Sequence, residues 1–97
     1  MEFIQIIEMR TPDVEPLLAL DEEWIAATEG KRTARRSIVT QDRNDPDRHL
    51  VIVFFDSYEE AMANSRLPET QEFAAKAKTL TEAAPSFIDL DVIADRS

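Results

Sequence analysis

The stretch Arg48 to Met62, RHLVIVFFDSYEEAM, decides how the rest of the chain is read. Leu50 to Phe55 is an unbroken apolar run, rich in β-branched and aromatic residues, that stops at Asp56. A run of this kind reads as a strand buried on both faces. Ser57 comes next, with Glu60 three residues later, the pattern of a capping box at a helix start. A strand covered on both sides that leads straight into a helix implies a sheet with helices on one face and a second layer on the other.

Before this stretch, Asp42 to Asp47 (DRNDPD) reads as a turn from its Asn, Asp and Pro content. Thr33 to Gln41 (TARRSIVTQ) then reads as a strand that pairs antiparallel with the apolar one as a hairpin. Phe3 to Met9 (FIQIIEM) is another strand by its β-branched content. Between them, Thr11 is expected to cap a helix, with Pro12 at the first helical position and Pro16 still in the first turn. Val14, Leu17, Leu18, Trp24 and Ile25 recur at helical spacing as one apolar stripe. The stripe ends at Gly30, the only glycine, where a left-handed residue can stop a helix. Used there, it leaves no glycine for a phosphate-binding loop or a dinucleotide fingerprint.

After the stretch, Tyr58, Ala61, Met62 and Ser65 continue the capped helix. Pro68 opens a second helical segment expected to reach Thr81, with Phe73, Ala74, Ala77 and Leu80 turned inward. Phe87 to Ala94 (FIDLDVIA) is the last strand. It alternates, with Ile88, Leu90, Val92 and Ala94 on one face and Phe87, Asp89, Asp91 and Ile93 on the other.

The order βαββαβ is the ferredoxin-like α+β pattern: a four-stranded antiparallel sheet with its helices on one face. A single domain over residues 1–97 is expected. Phe87, Asp89, Asp91 and Ile93 are assigned to the uncovered face, beside half of the apolar third strand. So large an apolar face calls for a partner, and a closed two-fold homodimer is the commonest one. The expected assembly is a dimeric α/β barrel, and the small size of the chain agrees with it, because 97 residues bury only about 60–65% of their unfolded surface alone.

Composition excludes several functions. A formal net charge of −9 repels phosphate backbones and anionic membranes, so neither nucleic acid nor membrane is expected as a partner. The absence of cysteine removes disulfides, thiol catalysis and thiolate metal sites. The apolar run from Leu50 to Phe55 is too short to cross a bilayer. No basic segment leads into an apolar stretch at the N-terminus, and a cytoplasmic location is expected.

The residues that could carry chemistry are few. His49 is the only histidine, the side-chain type suited to proton transfer near neutral pH, and reads either as a base or as a strand-end residue at the hairpin. No carboxylates stand at a spacing that would complete a metal site with it. Trp24 is expected to pack toward the sheet, where its N–H needs a partner. Asp89 and Asp91 share a face, so they line a polar pocket, enter an ion-pair network with Arg35 or Arg36, or lie on a solvent-exposed dimer edge. Gln5 carries the same choice on the first strand. Tyr58 is either a phenolic proton donor or a helix-packing residue.

Val51 to Phe73 is the most distinctive part of the chain: an apolar strand, the Phe55-Asp56-Ser57-Tyr58 bend, a helix with Ala61, Met62 and Asn64, then Pro68 to Phe73. In this stretch, and in the order of its elements throughout, the sequence resembles the antibiotic-biosynthesis-monooxygenase family of dimeric α/β barrels. That resemblance implies a cofactor-independent monooxygenase acting on a small aromatic or polyketide-like substrate. It implies Asn64 as the asparagine of the pocket helix, with Met62 where a tryptophan is usual. In the haem-degrading branch an asparagine on the first strand, a tryptophan in this helix and a histidine in the following segment are usual. Here Gln5, Met62 and the lysines Lys76 and Lys78 occupy those regions, so no haem and no other cofactor is expected. Asn64, His49 and Tyr58 are the candidate catalytic residues. Trp24, Gln5, Met62, Phe73, Asp89 and Asp91 are the candidate substrate-binding residues. The second class of function that stays open is a non-catalytic dimer that binds a small molecule or serves as a scaffold.

Overall fold

A strand that is apolar on both sides has to be central, and it is. In the computed structural model, which describes residues 1–97, the elements are β1 (Phe3–Arg10), α1 (Glu15–Ala27), β2 (Arg36–Asp42), β3 (Asp45–Phe55), α2 (Tyr58–Ser65), α3 (Pro68–Leu80) and β4 (Ser86–Asp91). The strands form one antiparallel sheet in the order β2-β3-β1-β4, with β3 and β1 inside. This is the ferredoxin-like α+β fold, its helical layer split into three.

The local signals act where their chemistry requires. The Ser57 hydroxyl accepts the Glu60 N–H at 3.1 Å and starts α2. Pro68 opens α3, where a missing N–H costs nothing. Gly30 adopts φ 81 in the turn after α1, and no other residue has a positive φ.

The start of α1 differs from expectation. Thr11 is buried, donates its N–H to the Asp47 carbonyl at 2.9 Å and extends the pairing of β1. The helix begins four residues later, Asp13 Oδ1 accepting the Glu15 N–H at 3.1 Å and Pro16 taking the first-turn position. The inward stripe also shifts, because Leu17 and Leu20 are buried whereas Ile25 is exposed. On α3, Ala77 is buried and Phe73 and Leu80 are packed on the core, but Ala74 is exposed.

The hairpin turn is shorter than its composition implies. It is the pair Arg43-Asn44, and β3 already begins at Asp45. Arg48 reaches Glu8 at 3.2 Å and Asp42 at 3.1 Å, while Arg10 reaches Asp45 at 2.9 Å. These ion pairs bind β1, β2 and β3 together at one end. Asp42 is held below the ordinary carboxylate range by the Asn44 N–H and by Arg48. Asp45 is held down by the hydrogen bond from Arg10.

Register separates the two faces. Phe3, Met9, Val51, Val53 and Phe55 point toward the helices and form the core with Leu17, Leu20, Ala61 and Ala77. Ile4, Ile6, Leu50, Ile52 and Phe54 point the other way, joined by Ile38 from β2 and by Ile88 and Leu90 from β4. Nothing within the chain covers this second face: Ile88 is 49% and Leu90 41% exposed. The alternation of β4 is as expected but its faces are exchanged. Asp89 pairs with Gln5 and Asp91 with Phe3, which puts both carboxylates and Phe87 on the helix side. They stay in solvent because β4 is an edge strand exposed at all six positions.

Candidate functional site

Between the sheet and the helices lies a slot of about 220 Å³. Its floor consists of two cross-strand rows, one of Ser37, Val53 and Gln5, the next of Val51, Ile7 and Phe87. Its roof comes from all three helices: Asp21 and Trp24 on α1, Asn64 and Ser65 on α2, and Thr70, Gln71, Phe73 and Ala74 on α3. Phe55 closes the inner end, at the last position of β3. The break between α2 and α3 places Asn64 and Phe73 over the same floor.

The aromatic walls are held by specific contacts. Trp24 donates its indole N–H to the Thr70 hydroxyl at 2.9 Å and meets the Phe73 ring at a centroid distance of 6.3 Å. The Arg32 guanidinium lies 5.5 Å from the Trp24 ring centroid and is fixed by the Ile25 carbonyl at 2.9 Å. Trp24 is therefore pinned between α1 and α3 at the roof of the slot.

Asn64 is 6% exposed, and its Oδ1 accepts the Thr33 backbone N–H at 3.3 Å. That bond fixes the amide orientation and leaves the Nδ2 donors available to a bound molecule. Gln5 donates its Nε2 to Asp89 at 3.1 Å, which leaves its Oε1 as an acceptor. Asp89 thus positions Gln5 from the edge strand instead of pairing with arginine. Arg35 is engaged by Glu2 and by Asp56, the latter at 3.0 Å, and Arg36 lies over Phe54 on the opposite face.

The candidates from the sequence divide into two groups. Asn64, Trp24, Gln5 and Phe73 meet around the slot, with Asp89 behind Gln5. His49, Tyr58, Met62 and Asp91 do not line it. His49 is 2% exposed, and its Nδ1 lies 3.2 Å from the Thr40 carbonyl. A carbonyl only accepts, so Nδ1 carries the hydrogen of that contact. Tyr58 is 50% exposed and meets the edge of Phe3 at 5.5 Å between centroids, a helix-packing contact. Met62 packs against the core and Asp91 is exposed beside Phe3.

One ionisable wall residue has no counterpart among those candidates. Asp21 faces the slot, and desolvation raises its pKa above the ordinary carboxylate value, with Glu22 adding to the rise and Arg32 opposing it. The sequence carries a signal for it: Asp21 lies four residues after Leu17 and three before Trp24, on the apolar stripe of α1.

No group of three or more His, Asp or Glu side chains is arranged to hold a metal ion. The slot also suits haem poorly. It presents no histidine to iron, and its volume of about 220 Å³ lies below the roughly 300–1,000 Å³ of sites for drug-sized ligands. No helix is long and apolar enough to cross a membrane.

No protein-family profile and no curated protein matches this sequence. Solved structures match its fold along the whole chain. One, from Chloroflexus aurantiacus J-10-fl and provisionally named an antibiotic biosynthesis monooxygenase, is 24% identical over 100% of this chain and 98% of its own, with a TM-score of 0.75. Rv0793 from Mycobacterium tuberculosis is 16% identical over 100% of both chains, with a TM-score of 0.79. A Deinococcus radiodurans protein with the same provisional name is 14% identical over 100% of this chain and 97% of its own, with a TM-score of 0.78. The chain therefore has the fold of proteins that carry the antibiotic-biosynthesis-monooxygenase name, the fold that the Val51 to Phe73 resemblance implied.

Proposed function

We propose that this protein is a cofactor-independent monooxygenase of the antibiotic-biosynthesis type, acting on a small aromatic or polyketide-like molecule bound in the slot. The observation that carries this reading is the slot itself: Trp24, Phe73 and Phe87 around a polar set limited to Asn64, Gln5, Gln71, Asp21 and the hydroxyls of Ser37, Ser65 and Thr70. A cavity of about 150 Å³ is enough for benzene, so about 220 Å³ suits a substituted aromatic ring. In the simplest such reaction a phenol and dioxygen give a quinone and water, the phenol supplying all the electrons. The protein contributes shape, exclusion of water and a few hydrogen bonds. Asn64 Nδ2 donates to the oxygen on which charge develops as the phenol ionises.

The working unit in this proposal is a homodimer. The open face has an apolar centre and ionic ends, with Glu8, Arg10 and Arg48 at one and Glu2, Arg35 and Arg36 at the other, the anatomy of a protein interface. Two such faces packed together complete the barrel and dry both copies.

A binding role without turnover is a second reading, and one observation favours it. His49 and Tyr58, the side chains best suited to move protons, both stay outside the slot. Oxygen uptake separates the two. Incubated aerobically with a dihydroxynaphthalene, the enzyme reading expects oxygen consumption that Asn64→Ala lowers at least tenfold. Saturable binding of the naphthol with no oxygen uptake above the protein-free rate would replace it with the binding reading.

A further inference from the structure

Asp21 is the only ionisable side chain on the walls of the slot. It also lines the smaller cavity behind, about 30 Å³ in volume, where His49 is the one other titratable group. Asp21 therefore stands between the slot and the buried histidine. Its neighbours on the slot walls from β1, β2, β3, α2 and α3 are uncharged, so Glu22, Arg32 and His49 are the charged or titratable groups that face it from any side. No hydrogen bond contributes to its ionisation, so its carboxylate is left to a ligand.

We propose that Asp21 is the proton acceptor of the slot, receiving a hydrogen bond from the hydroxyl of a bound uncharged phenol and then its proton. This inference rests on the reading of the slot as an aromatic site. In the step, the phenol O–H bond breaks and its electron pair stays on the phenol oxygen. The proton forms a new O–H bond on the Asp21 carboxylate, and no oxidant or reductant takes part. The slot carries one negative charge before the step and one after it, so proton transfer adds no buried charge. A ligand that arrives as a carboxylate would bring a second negative charge next to Asp21 and is disfavoured. The raised affinity of Asp21 for protons, caused by burial, brings it nearer to a phenol than a solvated aspartate would be. The substrate class this selects is a planar phenol or naphthol, not an aromatic acid.

The test compares para-nitrophenol with para-nitroanisole, its methyl ether, on the wild-type protein and on Asp21→Asn, at a pH where the free phenol is protonated. The wild type is expected to bind the phenol about tenfold or more tightly than the ether, the size of a hydrogen bond to a charged acceptor. Asp21→Asn should bring the two affinities within about threefold. Wild-type affinity for the phenol should fall as pH rises through the ionisation of the phenol, and the Asn variant should lose that fall. Equal affinity of the wild type for phenol and ether overturns the role of Asp21 while the aromatic slot stands, and that comparison needs no variant. An Asn variant that keeps the phenol preference overturns it too. If neither probe binds either protein, the reading of the slot as an aromatic site fails, and the proposal fails with it.

Discussion

The two faces of the sheet are built from the same strands and meet opposite conditions. Phe55 and Phe54 are neighbours on β3: Phe55 is buried against Phe3 under α2, and Phe54 stands on the uncovered side with Arg36 across its ring. Val51 and Val53 floor the slot, while Leu50 and Ile52 have nothing from their own chain above them. An apolar face can thus belong to the fold or be left for association, and composition alone does not separate the two uses. What separates them is where the connections travel. All three helices cross on one side, so only that side acquires a helical roof over its floor.

This contrast can be broken experimentally at several points. Phe55→Ala should cost about 3–5 kcal/mol in urea unfolding, whatever the protein concentration, because the cavity it leaves lies inside one chain. Phe54→Ala should instead destabilise by an amount that changes with protein concentration if copies pair through the open face. A concentration-independent loss at Phe54 would contradict that pairing. Ile52→Asp places a charge at the centre of the open face and should halve the particle mass seen by light scattering to that of the 11.1 kDa chain. A wild-type protein that already scatters as one chain at micromolar concentration would remove the barrel from the proposal.

Smaller effects sharpen the helix side. Asn64→Leu leaves the Thr33 N–H without its acceptor and should cost about 1–3 kcal/mol of stability in addition to its effect on the slot. The smallest effect concerns pH. Burial makes folded Asp21 hold its proton to higher pH than the unfolded chain does. Stability from this source is fully present below the unfolded aspartate value of about 3.9 and is lost as pH rises through the folded value. Asp21→Asn should therefore raise the melting temperature at pH 7, and the gain should vanish in acid. A variant that melts at or below the wild-type temperature at pH 7 would show that the carboxylate is not under strain there.

Much of the fold was legible because local chemistry and hydrophobic period agreed along the chain. The capping pattern at Ser57, the proline at Pro68 and the glycine at Gly30 each act through their own backbone, and each acts as read. The start of α1 was not legible in the same way. Thr11 is a good cap in isolation, but its N–H serves the Asp47 carbonyl across the sheet, and a contact with a residue so distant in sequence leaves no local trace. Of the slot, the resemblance supplied Asn64, helical spacing supplied Trp24 and Phe73, and its place on the first strand drew attention to Gln5. Asp21 looks like the first residue of the solvated acidic run Asp21-Glu22-Glu23 until its place on the apolar stripe is counted.

The sequence by itself determined which segments are strands and helices, their order, and that one strand would be apolar on both sides, because these follow from local propensity and period. Only the tertiary structure decided which side each alternating residue occupies. A period of two is symmetric, and the pairing of Gln5 with Asp89, not any property of β4 alone, turned its carboxylates toward the helices. The tertiary structure also decided that His49 would be buried behind the slot and Asp21 would face into it, because helix packing across the sheet brings together residues that lie far apart in the chain.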